Sequence, residues 1–492
     1  MLEVVVFICG AAVMIIELVG SRVLAPYVGT SVVVWTSIIG VILAALSLGY
    51  WWGGRWADKS PSLKTLSRII LGASAATVLI AFSREFLVKG VQASAGGLHI
   101  VSLKATVMLF APAGVMLGMV APFAARIRLT SAESAGRTVG RLYALSTLGS
   151  IAGTFAGGYL LIAYVGSTNI LFLLAAVLAL SAMACHASQT LLKGLLAALY
   201  VTLYAQALAD SKALAARGLT DVDTPYQRVL VYRSLDDATG RAMRVLSTGP
   251  EGVQGGMYLD DPTALALAYT RHLTLSSHFA PSAERMLVLG GGGYSYPKYV
   301  LASDPRMLVD VVEMDPGITA IARKHFALGD SPRLNIVHED ARTFLNANGT
   351  LYDVIIGDVF NSHAAVPFHL ATKEAATRMR KSLSEDGVLL VNCIGALEGQ
   401  RAQFFLSLYA TYSAVFPQVH VLRVRNERDP TAWQNFILVA FKHNRPLDWT
   451  SPDLDTQARL DNRMPAPDIG GTLVLTDDFA PVERLVSEWN PF

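Results

Sequence analysis

The stretch Met-Leu-Val-Leu-Gly-Gly-Gly-Gly-Tyr-Ser-Tyr-Pro-Lys-Tyr-Val, at residues 286–300, joins an apolar run to four consecutive glycines and then to a segment able to form a helix. A buried strand, a glycine turn and a helix in this order are typical of the α/β sheets that bind nucleotides. Four glycines by themselves also suit a tight turn that binds nothing. The surrounding sequence must therefore decide whether this loop belongs to a ligand site.

Apolar runs around the loop predict a Rossmann-like sheet, because they alternate with helical segments as the strands of a parallel, doubly wound sheet do. These runs lie at 286–289, 308–312, 334–337, 354–356 and 388–391. A small antiparallel sheet is expected ahead of them, from runs at 227–232, 241–246 and 255–259. Two later runs, at 419–424 and 436–441, are expected to add antiparallel strands at one edge of the main sheet.

The chain is too apolar and too long to form one soluble domain, and the part expected to lie in lipid is the first 209 residues. Hydrophobic residues form 52% of the 492 residues, charged residues form 16%, and the mean hydropathy is +0.42. Long apolar stretches in this part each approach the roughly 20 residues that cross a bilayer as a helix. The seven candidate spans lie at about 2–24, 31–53, 67–83, 101–125, 140–164, 168–186 and 190–208.

These patterns predict three segments. An all-α transmembrane bundle of about seven spans occupies 1–209, a linker with the small antiparallel β subdomain occupies 210–275, and the Rossmann-like domain occupies 276–492. Three glycines at every fourth position, Gly149, Gly153 and Gly157, fall on one face of the fifth span. That face is expected to pack closely against another helix.

Charge and cysteine content exclude several classes of function. The formal net charge of +2 gives no electrostatic reason to bind nucleic acid. Cys9, Cys185 and Cys393 are too few and too scattered for a disulfide framework or a metal cluster, so we expect buried neutral thiols and no metal. The expected partners are therefore the lipid bilayer and small molecules.

Basic residues between the spans predict the orientation of a multi-pass protein of the inner (cytoplasmic) membrane. One basic group lies between spans two and three and the other between spans four and five. They are Arg55, Lys59, Lys64 and Arg68, and Arg126, Arg128, Arg137 and Arg141. The positive-inside rule puts both loops and the N-terminus in the cytoplasm. Seven full crossings then leave the C-terminal half outside, whereas one re-entrant or miscounted span leaves it inside, so its side stays open.

Polar residues directly after the predicted strands indicate a nucleoside pocket, because ligands of such sheets bind at the carboxyl ends of the strands. The candidates are Gly290, Gly291, Gly292 and Gly293 after the first strand, Glu313 after the second, Asp340 after the third and Asp358 after the fourth. A carboxylate after the second strand can accept both ribose hydroxyls, and one after the third can accept from the adenine amine. Each alone could equally be a helix cap, but their order favours an adenosine-type pocket.

Several motifs give the chain a family resemblance. They are Thr-Pro-Tyr-Gln at 224–227, Gln-Gly-Gly-Met at 254–257, the glycine loop, Val-Glu-Met-Asp-Pro at 312–316, Glu-Asp-Ala-Arg at 339–342, Tyr-Asp-Val-Ile-Ile-Gly-Asp at 352–358 and Thr-Asp-Asp-Phe-Ala-Pro-Val-Glu at 476–483. From about residue 220 the chain resembles the spermidine synthases. The whole chain resembles bacterial membrane proteins that fuse a multi-span region to such a domain. The resemblance implies the methyltransferase/spermidine-synthase type of Rossmann-like fold.

The resemblance also implies aminopropyl transfer, in which an amine attacks the methylene beside the sulfonium of decarboxylated S-adenosylmethionine. Asp358 matches the catalytic base of the family. The implied cofactor-binding residues are Gln227, the four glycines, Glu313, Asp340 and Ala341, and the implied substrate-binding residues are Gln254, Tyr269, Asn361, His363 and Asp478. Soluble relatives are typically oligomers, which implies a homo-oligomer here.

Departures from the family concern the amine rather than the nucleoside. Soluble spermidine synthases carry an acidic residue where this chain has Gly293, a second aspartate where it has Asn361, and a glutamate where it has Arg271. Losing such carboxylates would weaken binding of a diamine dication, since each charge-assisted hydrogen bond is worth about 1.5–3 kcal/mol. Arg271 in an amine pocket would favour an anion instead. Carboxylates that could compensate are Asp260, Asp261 and Asp478, and His363 is either a base or part of a polar loop.

Three hypotheses follow from these features. The first is a membrane-bound aminopropyltransferase of the spermidine synthase type acting on an amine, and it is the one adopted here. The second is a transferase that uses S-adenosylmethionine on a non-polyamine acceptor, which is membrane-associated or extracytoplasmic. The third is a non-catalytic sensor or transporter, for which the ionisable Glu17 in the first span would matter.

Overall fold

The computed structural model describes residues 1–92, 97–129, 135–188, 190–248, 253–360, 366–425, 427 and 429–486. The chain divides into two compact units, Met1–Arg228 and Val229–Phe492. The division into segments at 209 and 275 stays a prediction.

Seven long apolar helices form most of the N-terminal unit. They are α1 (Leu2–Val28), α2 (Val32–Lys59), α3 (Leu63–Gln92), α4 (Leu98–Arg128), α5 (Ala135–Tyr164), α6 (Ser167–Cys185) and α7 (Thr190–Ala216). Each is long and apolar enough to cross a membrane, so the seven predicted apolar helices are confirmed within the described residues. A short strand, β1 (Thr220–Asp223), follows α7.

The glycine stripe of α5 packs against α1, as its spacing predicts. A Cβ atom added at Gly149 would overlap the carbonyl oxygen of Phe7, and one added at Gly153 would overlap the carbonyl oxygen of Ala11. Close backbone approach of this kind requires glycine at the contact. The stripe therefore has a packing role.

Contacts between helix ends show that successive helices of the N-terminal unit alternate in direction. At one end, Arg126 pairs with Asp58 at 3.1 Å and Arg141 pairs with Glu3 at 3.2 Å. At the other end, the Gln92 amide donates to the carbonyl of Tyr27 at 2.6 Å. The N-terminus and the C-terminal end of α7 consequently lie at opposite ends of the bundle.

Hydrogen bonds hold the segment after α7 at the end of the bundle where Gln92 contacts Tyr27. The Asp223 carboxylate accepts from the backbone N–H of Ser167, the first residue of α6, at 2.8 Å. The Arg22 guanidinium donates to the carbonyls of Thr224 and Pro225. Arg22 of α1 thus acts at the helix end, where it holds the chain that leads to the second unit.

An eight-stranded sheet forms the centre of the C-terminal unit, with strand order β12-β10-β11-β9-β8-β5-β6-β7. Its strands are β5 (Arg285–Leu289), β6 (Leu308–Val312), β7 (Leu334–Val337), β8 (Tyr352–Phe360), β9 (Leu383–Gly395), β10 (Gln418–Arg423), β11 (Gln434–Phe441) and β12 (Arg463–Met464). Pairing is parallel from β7 to β9 and antiparallel from β9 to β12. The predicted doubly wound sheet with two antiparallel edge strands is confirmed.

Burial on both faces explains why the sheet strands are continuous apolar runs. Four of the five residues of β5 are buried, and its alternate residues face two different apolar clusters. The helices that cover the faces and edges are α8 (Ala268–Leu273), α9 (Leu275–Phe279), α10 (Ser295–Ser303), α11 (Pro316–His325), α12 (Ala341–Ala347), α13 (Lys373–Ser382), α14 (Gln403–Ser413), α15 (Leu454–Leu460) and α16 (Val482–Val486).

The small antiparallel sheet precedes this domain, as expected. It has four strands in the order β1-β2-β3-β4. They include β2 (Arg228–Leu235), β3 (Ala242–Ser247) and β4 (Gly255–Tyr258), and β3 pairs with both β2 and β4. β12 was not predicted, because a two-residue strand carries no periodic signal. The order of the large sheet reverses between β8 and β5, so the carboxyl ends of these strands form the expected ligand crevice.

Candidate functional site

The glycine loop after β5 approaches the carboxyl end of β8 very closely. Gly290 has φ +94°, and a Cβ atom added there would lie 2.5 Å from the carbonyl oxygen of Asp358. Its N–H donates to the carbonyl of Val312 at 2.9 Å. Glycine is required at this position for both space and backbone conformation.

Glu313, directly after β6, holds the glycine loop. Its Oε2 accepts from the N–H of Gly291 at 2.8 Å and of Gly292 at 3.4 Å, and its Oε1 accepts from the N–H of Asp315 at 2.9 Å. Burial raises the pKa of this carboxyl, and the backbone donors oppose the shift. Glu313 therefore lies next to the glycine loop. Its predicted role, to accept hydrogen bonds from both ribose hydroxyls, stays a prediction.

Asp340, directly after β7, is the N-cap of α12. Its Oδ1 accepts from the N–H groups of Arg342 and Thr343 at 2.9 and 3.0 Å, and its Oδ2 lies 2.9 Å from Nε2 of His369. Burial opposes ionisation, but the Thr343 N–H and His369 outweigh it and lower the pKa of Asp340. The capping role is therefore observed, and a contact of Asp340 and its buried neighbour Ala341 with adenine stays a prediction.

Asp358, near the end of β8, is held by two side-chain donors. Tyr269 Oη donates to its Oδ2 at 3.0 Å, and Asn392 Nδ2 donates to its Oδ1 at 3.0 Å. Asn435 Nδ2 donates in turn to Oδ1 of Asn392 at 3.0 Å, which fixes the orientation of that amide. Burial and the neighbouring Asp358 charge raise the pKa of Tyr269 well above its usual value, so the phenol stays a donor.

Sequence reasoning missed Asn392 and Asn435. Asn392 is fully enclosed on β9, directly after the apolar run 388–391, and Asn435 lies on β11. A polar residue at the end of a fifth predicted strand is the signal that would have found Asn392. Asn435 gave no such signal, because its partner is 43 residues away and on an antiparallel strand.

Two cavities share part of their lining, and Asp358 lines the first of them. The first, of about 20 Å³, has Asp358, Ser295 and the four loop glycines in its lining. The second, of about 200 Å³, has Asn392, Asn435 and Arg425 in its lining. Gln254, Leu267 and Tyr269 line both cavities, so the two are adjacent.

Arg271 is not where the sequence analysis expected it. Its guanidinium donates to the carbonyls of Leu265 and Ala266 at 3.0 and 3.1 Å and to Tyr258 Oη at 3.0 Å. It lines neither cavity beside Asp358. The prediction of an arginine at position 271 in the amine pocket is wrong, because the strand and loop before α8 offer Arg271 nearby acceptors.

The remaining candidates are placed as follows. Asp260 pairs with Arg241 at 2.7 Å, Asp261 caps the turn at Thr263, and neither lines the two cavities. Asp478 is exposed in the C-terminal segment and lines neither cavity.

Three further candidates have no tested role. Gln227 belongs to the N-terminal unit, where its carbonyl accepts from the Thr224 N–H at 2.8 Å. Asn361 and His363 lie outside the described residues. Among the described residues, no group of three or more His, Cys, Asp or Glu side chains is arranged to hold a metal ion.

Comparison with known proteins gives matches mainly in the C-terminal unit. Residues 267–444 match the family model described as the spermine/spermidine synthase domain. The polyamine aminopropyltransferase of Vibrio vulnificus is 29% identical over 206 residues, which are 41% of this chain and 66% of that protein. This match spans slightly less than two thirds of the length of the Vibrio protein.

A second relative matches a longer part of the chain. Polyamine aminopropyltransferase 2 of Streptomyces coelicolor is 27% identical over 442 residues, which are 83% of this chain and 76% of that protein. Among solved structures, a probable spermidine synthase from Corynebacterium glutamicum is 23% identical, with a TM-score of 0.40 over 47% of this chain and 82% of that one.

Proposed function

We propose that this chain, whose residues 267–444 match the spermine/spermidine synthase domain, is a membrane-bound aminopropyltransferase. In this proposal it moves the aminopropyl group of decarboxylated S-adenosylmethionine to an amine. The observation that carries the proposal is Asp358, which Tyr269 and Asn392 hold beside the glycine loop. The seven apolar helices would keep the domain at a lipid bilayer.

Asp358 would act as the general base. An amine with an ordinary pKa near 10.4 is protonated at neutral pH, so it must lose a proton before it can attack. The amine nitrogen then forms a bond to the methylene carbon beside the sulfonium, the carbon–sulfur bond breaks, and methylthioadenosine leaves with the electron pair. Tyr269 and Asn392 would orient the carboxylate that receives the proton.

The residues around the glycine loop would bind the nucleoside. We assign the ribose hydroxyls to Glu313 and the adenine amine to Asp340, with Ala341 beside the base. Gly290 to Gly293 would let the backbone approach the ligand, and Gln254, which lines the same cavity, would contribute from the preceding segment.

A transferase that uses S-adenosylmethionine on a non-polyamine acceptor is the second candidate function. Gly293 favours it, because the chain has no carboxylate there for the amine of an aminopropyl group. A Cβ atom at Gly293 would make only ordinary contacts, the nearest at 3.5 Å, so space does not exclude an acidic residue. A lack of space therefore does not explain why this chain has no carboxylate at position 293.

The test is a transfer assay on the full chain in lipid nanodiscs, with each cofactor form and a panel of amines. Product is measured by mass spectrometry. We expect Asp358→Asn to lower the rate about 10²- to 10⁴-fold, as for loss of a general base, and to retain nucleoside binding. The control is Asp330→Asn, a carboxylate that is 87% exposed, and it should keep full activity.

Three outcomes separate the candidates. Product from decarboxylated cofactor supports the aminopropyltransferase, and product from S-adenosylmethionine supports the second candidate. Nucleoside binding without product from any combination contradicts both and leaves the non-catalytic sensor or transporter.

A further inference from the structure

The charge of the lining of the second cavity, of about 200 Å³, does not suit a diamine. Its polar lining consists of the side-chain amides of Gln254, Asn392 and Asn435, the Tyr269 phenol and the Arg425 guanidinium. Its other lining residues are apolar. Arg425 is thus the one formally charged side chain among the described residues that line this cavity, which we call the acceptor chamber.

Fixed hydrogen bonds shape one wall of the acceptor chamber. Asn435 donates to Asn392, and Asn392 donates to Asp358, so this wall leads by two consecutive bonds of 3.0 Å to the proposed base. The sheet pairs Asn435 with Ile394 and Ile437 with Asn392, which sets both amides on neighbouring antiparallel strands. Arg425 follows β10 and the backbone of Val424, whose N–H donates to the carbonyl of Asn435 at 3.1 Å.

The charge of Arg425 opposes a second ammonium in the acceptor chamber. If the amine of an acceptor reaches Asp358, its other end extends into a chamber in which the fixed charge is positive. A second ammonium would be repelled there and, among the lining residues that the structure describes, would meet only neutral acceptors. A carboxylate or a phosphate would instead form a charge-assisted hydrogen bond with the guanidinium, which binds both groups with two parallel bonds.

We propose that the acceptor is an amine that carries an anionic group, a carboxylate or a phosphate, and that Arg425 binds this group. This inference rests on the proposed function, because it assumes that Asp358 receives the proton of the attacking amine. The acceptor nitrogen forms the new bond to carbon, the bond from that carbon to sulfur breaks, and the proton passes to Asp358. A free amino acid and the headgroup of an aminophospholipid share this chemistry.

The sharpest test compares two amines of equal chain length. Putrescine and γ-aminobutyrate have the same carbon spacing, and one ends in an ammonium where the other ends in a carboxylate. We expect the full chain in nanodiscs to use γ-aminobutyrate or O-phosphoethanolamine with at least a tenfold higher kcat/KM than putrescine. Vesicles of phosphatidylethanolamine, with phosphatidylcholine as control, distinguish a lipid source from a soluble one.

Variants of Arg425 test whether its positive charge causes the preference for an anionic amine over putrescine. Arg425→Gln is expected to lower kcat/KM for the anionic amine about 10- to 100-fold, chiefly through KM, and to raise kcat/KM for putrescine, because the repulsion of its second ammonium is removed. Arg425→Lys keeps the charge and should keep most of the preference, which a purely structural role would not do. Arg306→Gln, at a surface side chain that is 61% exposed, is the matched control.

A binding measurement separates this inference from the proposed function. Calorimetry of γ-aminobutyrate and putrescine with the chain saturated in methylthioadenosine needs no turnover. Binding of the anionic amine that Arg425→Gln abolishes supports the anion site, and a lack of product in the separate transfer assay then contradicts the aminopropyltransferase alone. Equal or tighter binding of putrescine, unchanged in Arg425→Gln, overturns the anion site whatever the activity.

Discussion

At the scale of single residues, the carboxylates after the strands serve the fold before any ligand is considered. Glu313 accepts from three backbone N–H groups, and Asp340 caps α12 through two. Asp340 keeps Oδ2 outside the cap, 2.9 Å from Nε2 of His369, and Glu313, with about four acceptor sites, keeps one beyond its three backbone donors. The alternatives of cap and ligand, which the sequence left open, are therefore compatible in one side chain.

The raised pKa of Glu313 predicts a pH dependence of nucleoside binding. Ribose hydroxyls donate to the ionised carboxylate, so binding favours loss of its proton. Because burial raises the pKa of Glu313 above 4.5, affinity should increase as pH rises through that raised value and then level off. Calorimetry with methylthioadenosine across this range checks the step, and Glu313→Gln should bind about 10- to 100-fold more weakly without it.

Gly293 predicts the preferred form of the cofactor. Gly293→Asp introduces a carboxylate with room for its Cβ atom, and this carboxylate should attract the amine of an aminopropyl group and repel the carboxylate of S-adenosylmethionine. We expect the ratio of affinities to move about tenfold or more toward the decarboxylated cofactor. Competition binding measures the ratio, and an unchanged ratio would show that position 293 lies outside the cofactor site.

At the scale of elements, the strand–loop–helix unit from β5 to α10 depends on one glycine conformation. Gly290→Ala would bring a Cβ atom to 2.5 Å from the Asp358 carbonyl at φ +94°, so β8 or the loop must shift. We expect a lower melting temperature and weakened nucleoside binding. Gly349→Ala, which meets open space, is the control, and equal behaviour of the two variants would refute the close approach.

The contact between α1 and α5 gives a second prediction for an element. Gly153→Ala would place a Cβ atom 2.4 Å from the carbonyl oxygen of Ala11, whereas Gly140→Ala on the same helix meets nothing within 4 Å. The first should destabilise the helix bundle by about 1–3 kcal/mol through overpacking. The second should be neutral or stabilising by up to about 1 kcal/mol. Thermal unfolding in detergent compares them.

At the scale of the whole molecule, alternation of seven helices predicts the side of the membrane on which the second unit lies. The basic loops lie at the end of the helix bundle that carries Asp58, Arg126 and Arg141. The segment after α7 leaves the bundle from the opposite end. With the basic loops in the cytoplasm, a C-terminal alkaline phosphatase fusion should be active and a fluorescent protein fusion dark.

The outcome of these fusions decides where the cofactor must be supplied. An active phosphatase means that the pocket draws its ligands from outside the cytoplasm, and transfer is then assayed on intact cells with cofactor added outside. A bright fluorescent fusion contradicts the predicted orientation. It would mean that one of the seven helices does not cross and that the pocket meets the cytoplasmic nucleoside pool.

The amino-acid sequence alone was sufficient for the seven apolar helices, for the strands other than β1 and β12, and for the acidic residues after them. Each of these depends on apolar runs, glycine turns and strand ends, which are local in the chain. The neighbours of Asp358 depend instead on which strands pair. Asn392 and Asn435 meet because β9 pairs with β11, and Arg271 is turned away by local carbonyls. Only the tertiary structure decided the chemistry of the acceptor chamber, because its residues come from strands and loops far apart in the sequence.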